Sequence, residues 1–296
     1  HEVVVVPYMG HFDVLILWPF ARLRGTRIVW DVFISLYNTV VEDRRMVSKY
    51  NPVAWSVYAL EWLATRAADQ IVLDTSAHAA YFSALHRIPE QKLTAVFVGA
   101  EEEKFPLLPP LSSKAESEPL TVLFYGQFIP LHGTETIIEA ARLLDDGSIN
   151  WVLIGRGQDE AHVRATLDET PVRNLTWIHW VPYEELSEWI ARADICLGVF
   201  GETAKASLVI PNKVFQVLLA GRPLITRDSP AVRELLHETE AGIYLVPPDD
   251  AKALADAIVA FRNSREQFVG KVLYDKLRPR VDTLSIGRQF REQVLM

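Results

Sequence analysis

Ala193-Asp194-Ile195-Cys196-Leu197-Gly198, then Ile210-Pro211-Asn212-Lys213, then Ala220-Gly221-Arg222-Pro223-Leu224-Ile225-Thr226 form one continuous pattern. An apolar strand enters a polar loop, and the loop closes at Pro211. Proline serves as the first residue of a helix because no N–H is needed there. The N–H groups of that first turn face the loop, where the helix dipole favours an anion. Lys213 sits in the same turn, and Gln216 follows three residues on, on the same face. Gly221 ends the helix and the next strand begins at once. The pattern predicts a phosphate or diphosphate pocket at the C-terminal edge of a parallel sheet, where open α/β sheets bind ligands. The alternative is an ordinary buried strand–helix unit.

Composition sets the frame around this run. The chain has 296 residues, 49% of them hydrophobic and 23% charged, enough for two soluble domains. Its net charge of −8, with no basic stretch to offset it, excludes a nucleic-acid surface. An anionic ligand must then be held by local devices such as helix termini and single lysines. The single cysteine, Cys196, lies in an apolar strand and reads as a core thiol, so no disulfide forms within the chain. A reducing, cytoplasmic setting fits. No apolar run is long enough to span a bilayer.

Short β-rich runs alternate with helical patterns along the whole chain, which predicts parallel sheets with crossover helices. In the first half the strands are Glu2–Pro7, Arg27–Asp31, Gln70–Asp74 and Leu93–Val98, with helices near 11–24, 51–68 and 76–87. Residues 106–119 are rich in proline and serine, without periodicity, and read as a linker. The pattern then restarts with strands Leu120–Tyr125, Trp151–Ile154, Leu175–Ile178, Ile195–Leu197, Leu224–Thr226 and Gly242–Leu245. Helices are expected near 132–144, 158–168, 184–192, 212–220, 229–237 and 250–262. The expected organisation is an acceptor-side domain over 1–105, the linker, a nucleotide-binding domain over 120–284, and a final helix over 285–296 packing back on the first domain.

Three loops of the second half should meet, because each follows a strand at the same sheet edge. The first runs from Gly126 and Gln127 to His132 and Gly133. Its glycines allow close approach of backbone to ligand, and a neutral His132 is placed to donate to a phosphate oxygen. The second is Gly155-Arg156-Gly157, a turn that is weak as a signal by itself. The third holds Gly201, Glu202 and Lys205 ahead of Pro211 and Asn212. Lys205 and Lys213 are the cations expected to reach a diphosphate. Val181, at a further strand end, offers backbone groups to a nucleobase edge. In the first half, His11, Asp31 and Ser35 follow or end strands and are candidates for binding a hydroxylated acceptor. The segment Leu15–Arg24 mixes Leu, Ile, Trp and Phe with Arg22 and Arg24, and Pro19 interrupts it. Two readings stay open there: a core-packed helix, or a surface lying on lipid. No Asp-x-Asp pair at a strand end, His-Glu-x-x-His or Gly-x-Ser-x-Gly is present, so neither a required metal nor serine-hydrolase chemistry is expected.

These residues together resemble the family 4 glycosyltransferases of the GT-B fold. Gly126 through Gly133 resembles the family's first donor loop, Leu153–Gly157 its Gly-x-Gly turn, and Trp180–Leu186 its base-binding corner. Ala193–Asp194 resembles the pair that opens the next strand, Pro211–Pro223 the diphosphate helix, and Val98–Glu101 with Phe105–Pro106 the exit into the linker. The resemblance implies an α/β chain of two Rossmann-like parallel-sheet domains facing a cleft. The family's first strand, glycine loop and first helix would precede His1, so the first domain is expected to be incomplete at its start.

The implied activity is retaining, metal-independent transfer of a sugar from a nucleoside diphosphate to an acceptor hydroxyl, with the nucleotide sugar as donor substrate and no cofactor. The acceptor would be a glycan, a lipid-linked molecule or a small molecule, with peripheral contact at the inner membrane face. Lys213, His132 and Glu202 are the expected catalytic residues. Departures are specific: Gln127 and His132 stand where the family has arginine and lysine, and Leu208 and Gln216 stand where it has two glutamates. The histidine that the family often places in its first domain is replaced by Asp31 nearby. Lys205 and Lys213 are expected to supply the missing charge, and Glu202 the missing carboxylate. A sugar-nucleotide epimerase or hydrolase, or a non-catalytic partner protein, are the alternatives.

Overall fold

The computed structural model of the chain describes residues 2–115, 117–237 and 240–295. His1 at the expected start, Glu116 in the expected linker and Met296 at the end of the expected final helix lie outside the described residues. The chain divides into two compact units. The first comprises the residues up to Val98, the segment Thr203–Ile210 and the stretch from Leu284 on; the second comprises Gly99–Glu202 and Pro211–Thr283.

The first unit is a parallel sheet of β1 (Val3–Val6), β2 (Arg27–Phe33), β3 (Gln70–Leu73) and β4 (Leu93–Ala95), in that order. Its helices are α1 (His11–Arg24), α2 (Pro52–Ala67) and α3 (Ser76–His86). Local chemistry sets their ends. Gly25, at φ +67°, closes α1 in the left-handed region. Asn51 caps α2 by accepting the Val53 N–H at 2.9 Å, with Pro52 in the first turn. Thr75 caps α3 by accepting the His78 N–H at 3.0 Å. The strands are apolar on both faces because both faces are covered. Val14, Ala64 and Phe82 pack with Trp30 and Ile71 in one cluster; Val29, Val72 and Val96 form the other with Val294, Ile286 and Phe290. Ile286, Phe290 and Val294 recur at helical spacing, so the C-terminal segment lays one apolar stripe on this sheet.

The second unit carries β5 (Leu120–Tyr125), β6 (Ile149–Ile154), β7 (Leu175–Ile178), β8 (Ile195–Leu197), β9 (Leu224–Arg227) and β10 (Ile243–Val246). Its longer helices are α4 (Thr134–Leu143), α5 (Glu160–Glu169), α6 (Leu186–Arg192), α7 (Asn212–Ala220), α8 (Pro230–Arg233) and α9 (Ala251–Ser264). All six strands are parallel, in the order β10-β9-β8-β5-β6-β7. Strand order therefore reverses between β5 and β8, and such a switch point opens a crevice at the carboxyl ends of those strands.

The structure corrects several expected boundaries. Residues 99–119, expected as a domain exit and linker, belong to the second unit. Lys114 pairs with Asp194 at 2.7 Å, Arg265 donates to the Ser112 carbonyl at 2.9 Å, and Leu111 bridges to Val269. A proline-rich run with no periodicity is here tied down by ion pairs that composition does not reveal. Thr203–Ile210, expected within the second domain, groups with the first. Helix 229–237 shrinks to Pro230–Arg233, and a π-helical turn at Asn38–Asp43 had no signal in the pattern. Pro19 does not interrupt α1, which runs through it.

Candidate functional site

The loops after β5 and β8 flank the switch point and are stitched together by backbone. Phe200 N–H donates to the His132 carbonyl at 3.1 Å and Gly201 N–H to the Leu131 carbonyl at 3.2 Å. The glycines make this approach feasible. A Cβ on Gly133, at φ +63°, would meet Gly201 N at 2.5 Å, and one on Gly201 would strike the Pro130 carbonyl. The Gly155–Gly157 turn is locked the same way. A Cβ on Gly157 would lie 2.5 Å from the Phe128 carbonyl oxygen, and one on Gly155 would overlap the Gly126 carbonyl. The expectation that Gly133 admits a ligand is thus corrected: Gly133, Gly155, Gly157 and Gly201 admit neighbouring backbone.

Gly126 is different. A Cβ there would lie 2.8 Å from Lys213 Nζ and 2.9 Å from His132 Cε1, so this glycine leaves room for a lysine and an imidazole to converge. Lys213 is buried in the first turn of α7, with Nζ 3.9 Å from the centroid of the Phe124 ring and 3.3 Å from the Gly198 carbonyl oxygen. Burial alone holds its pKa well below the ordinary lysine range, and among the described residues no carboxylate offsets that cost. Pro211 occupies the cap position rather than the expected first helical turn, one residue earlier than predicted. No side chain caps this terminus and no acidic residue lies in its first turn, where Asn212 is exposed. The first N–H groups of a helix lack intrahelical partners, so an uncapped terminus with a buried cation beside it is poised for an anion.

His132 packs edge-on against Phe124 at 5.7 Å, and its Nδ1 bonds the Gln127 carbonyl. A carbonyl only accepts, so Nδ1 carries the proton and a neutral ring presents Nε2 as an acceptor. Burial, and then the Lys213 charge, push its pKa well below the usual histidine value. The ring is therefore neutral, and the expectation that it donates to phosphate is corrected: Nε2 accepts. Gln127 itself is exposed and contributes that carbonyl.

Other expected residues lie elsewhere. Lys205 is in the first unit, where Nζ donates to Thr39 Oγ1 at 2.9 Å and lies 4.0 Å from Asp43. Its charge is spent there, because Thr203–Ile210 docks on the Asn38–Asp43 turn, with Thr203 donating to Asp43 at 3.0 Å. Gln216 accepts from Tyr125 at 2.9 Å and donates to Tyr183 at 3.4 Å, and Tyr183 in turn donates to Glu101. Glu202 is exposed, with Arg227 as its electrostatic neighbour. Val181 is half-buried beside the exposed Trp180.

In the first unit, His11 and Ser35 are buried rather than open to an acceptor. Ser35 Oγ donates to Glu61 at 2.9 Å, and His11 Nε2 stands 3.7 Å from the same carboxylate. Asp31 lies within β2, which runs on to Phe33; burial first, then Asp74, raise its pKa against the Phe33 N–H bond.

Sequence reasoning missed three contributors. Arg227, at the end of β9, donates to the Gly201 carbonyl and supports the loop after β8. Phe124 provides the ring under Lys213 and His132. Glu61, fully buried, collects Ser35, His86 at 3.1 Å and the Leu36 N–H at 2.6 Å. A strand-end arginine and a lone glutamate on an apolar helix were the available signals. Among the described residues, no group of three His, Cys, Asp or Glu side chains is placed to hold a metal ion.

With strand order and pocket in place, the class of the molecule follows: two parallel α/β domains, with the fold of the GT-B glycosyltransferases. The structure of Anabaena Alr3699/HepE in complex with UDP and glucose superposes with a TM-score of 0.73 at 12% identity, over 100% of this chain and 78% of that one. Residues 119–263 match the family described as glycosyl transferases group 1. The putative colanic acid biosynthesis glycosyltransferase WcaL of Escherichia coli (strain K12) is 24% identical over 177 residues, 58% of this chain and 43% of the relative. The phosphatidyl-myo-inositol mannosyltransferase of Mycobacterium leprae (strain TN) is 31% identical over 159 residues, 50% of this chain and 40% of the relative. The matched segments thus span less than half of either relative.

Proposed function

We propose that this chain binds a nucleoside-diphosphate sugar in its second unit and transfers the sugar to an acceptor hydroxyl. Configuration at the anomeric carbon is retained, and neither a metal nor a resident cofactor is required. The observation that carries this reading is Lys213, a buried lysine with no carboxylate partner among the described residues, at an uncapped helix terminus with Gly126 and His132 around it. An unpaired buried charge is costly, and a diphosphate is the anion that a cation at a helix terminus fits. UDP in the HepE complex makes uracil the first base to test. The names of the relatives favour a glycan or lipid-linked acceptor.

In the proposed step the bond between the anomeric carbon and the diphosphate oxygen breaks, and its electron pair stays on that oxygen. The acceptor oxygen attacks the face the diphosphate leaves, and its proton passes to the departing phosphate. Lys213 and the first amides of α7 stabilise the growing charge; one such preorganised donor contributes on the order of 3–4 kcal/mol. His132 Nε2 accepts from a sugar hydroxyl and holds the donor in register. Glu202, exposed and off this pocket, has no step here.

Thermal unfolding with UDP, GDP, ADP and dTDP tests the site. Ligand at about 100 times Kd adds roughly 2.7 kcal/mol, and one nucleotide should shift the midpoint while Lys213→Ala abolishes the shift. Transfer by the intact protein should then survive EDTA and give a product of retained configuration. No shift with any nucleotide sinks the reading, and binding without transfer turns it into a non-catalytic partner.

A further inference from the structure

We propose that Lys205 is a positioning residue: with Asp43 it holds the chain that enters α7 and so fixes that helix terminus. Its effect on UDP rests on the nucleotide site proposed above; its effect on the terminus does not. Thr203–Ile210 belongs to the first unit, whereas Gly201 and Glu202 before it and Pro211 after it belong to the second. Upstream, the Gly201 N–H donates to the Leu131 carbonyl at 3.2 Å, and Arg227 donates to the Gly201 carbonyl. Downstream, Pro211 stands at the cap of α7, and among the described residues no side chain bonds that terminus. The first turn of an uncapped helix frays, because its leading N–H groups lack partners. Its order must then come from its own packing and from the chain that leads into it.

That chain is anchored by named groups. Lys205 Nζ donates to Thr39 Oγ1 at 2.9 Å and lies 4.0 Å from one Asp43 oxygen, while Thr203 Oγ1 donates to the other at 3.0 Å. Thr39 gives its own hydroxyl proton to the Ser35 carbonyl at 2.7 Å, so it meets the lysine as an acceptor. Nearer to α7, Thr75 donates to the Leu208 carbonyl, and the same oxygen caps α3 by accepting the His78 N–H at 3.0 Å. A 3₁₀ turn at Lys205–Ser207 carries the lysine, and Ala206, Val209 and Ile210 are buried around it in sequence. Lys205 and Asp43 are themselves only 7% and 2% exposed. Apolar residues in place of a buried ion pair are often neutral or stabilising, so stability does not explain why these charges are here. What a buried pair supplies is register, as single buried polar groups do in coiled coils. A lysine and a threonine meeting one carboxylate allow Thr203–Ile210 a single seating, and Pro211 follows directly.

The experiment compares the intact protein with Lys205→Met and with Lys205→Met plus Asp43→Leu. Three quantities are read: the urea midpoint, hydrogen exchange of the Val214 and Phe215 amides without nucleotide, and UDP affinity by calorimetry. Lys205→Met strands a buried carboxylate and should lower the midpoint, whereas the double change removes both charges and should bring it back close to native. In both variants the two amides should exchange about five- to tenfold faster, and UDP should bind weaker by a similar factor, the scale of a lost helix cap. A double variant that recovers exchange and affinity along with its midpoint would make the pair merely structural and overturn the assignment, as would native exchange in both variants. If the native protein binds none of UDP, GDP, ADP and dTDP while the variants still exchange faster, the nucleotide reading falls and the anchoring stands.

Discussion

Lys213 places binding and stability in opposition. Its amine is desolvated with no counter-charge among the described residues, so removing it should relieve the empty fold. Lys213→Met is expected to raise stability by about 1 kcal/mol while abolishing nucleotide binding, as chemical unfolding and calorimetry would register. The sign of the pH dependence follows from the depressed pKa. A bound diphosphate favours the protonated lysine, so binding takes up a proton between the free and bound pKa values, and affinity falls as pH rises through that window. Calorimetry in buffers of different ionisation enthalpy would measure the proton; none taken up would contradict the placement. His132 gives a second expectation at this scale. Its ring should stay neutral with the proton on Nδ1 at neutral pH, visible in imidazole nitrogen shifts, and His132→Ala should lower kcat/KM about 10- to 100-fold, the worth of one or two hydrogen bonds. Gly126→Ala should weaken the donor without unfolding the chain. Gly155→Ala, whose new methyl meets backbone rather than a side-chain tip, should destabilise it.

At the scale of elements, Asp194 is the joint between β8 and its surroundings. It is buried, takes Arg265 at 2.7 and 3.0 Å, Lys114 at 2.7 Å and the Thr121 N–H at 2.8 Å. Asp194→Ala leaves the buried Arg265 with only the exposed Glu266, at 3.5 Å, as its anion and should cost about 3–5 kcal/mol in urea unfolding, with nucleotide affinity falling only as far as the fold loosens. The alternation of strand and helix, and the start of α7 just after Pro211, were legible because a period of two or 3.6, a proline and a glycine are local signals. The linker was misread because its order comes from Asp194 and Arg265, 80 and more residues away. Lys205 was misplaced for a similar reason: a lysine four residues after a loop glycine looks like a ligand cation until Thr39 and Asp43 are seen beside it. What approaches most of the singled-out glycines is backbone, and no single-chain pattern distinguishes backbone from ligand.

Over the whole molecule, acid sensitivity should concentrate in the first unit. Burial pushes the Glu61 carboxyl up, but nearby His11, the bond and charge of His86 and the Leu36 N–H outweigh it and hold it at about 2 against an ordinary 4.5. A depressed carboxyl gives stability that is complete above 4.5 and lost as pH falls towards 2. The amount is roughly 3 kcal/mol. Glu61→Gln should flatten that part of the stability–pH curve; an unchanged slope would count against this network. The discontinuity of the first unit carries a different consequence, one of timing. Its sheet is translated first, yet Val294, Ile286 and Phe290 cover one face and Thr203–Ile210 completes another part. On the ribosome the early strands must therefore wait, half-dressed, while the later unit emerges and closes ahead of them. Chaperones holding nascent chains should find their longest-lived client surface on β1–β4, and a stop codon before Leu284 should yield a folded second unit attached to a sheet left uncovered on one face.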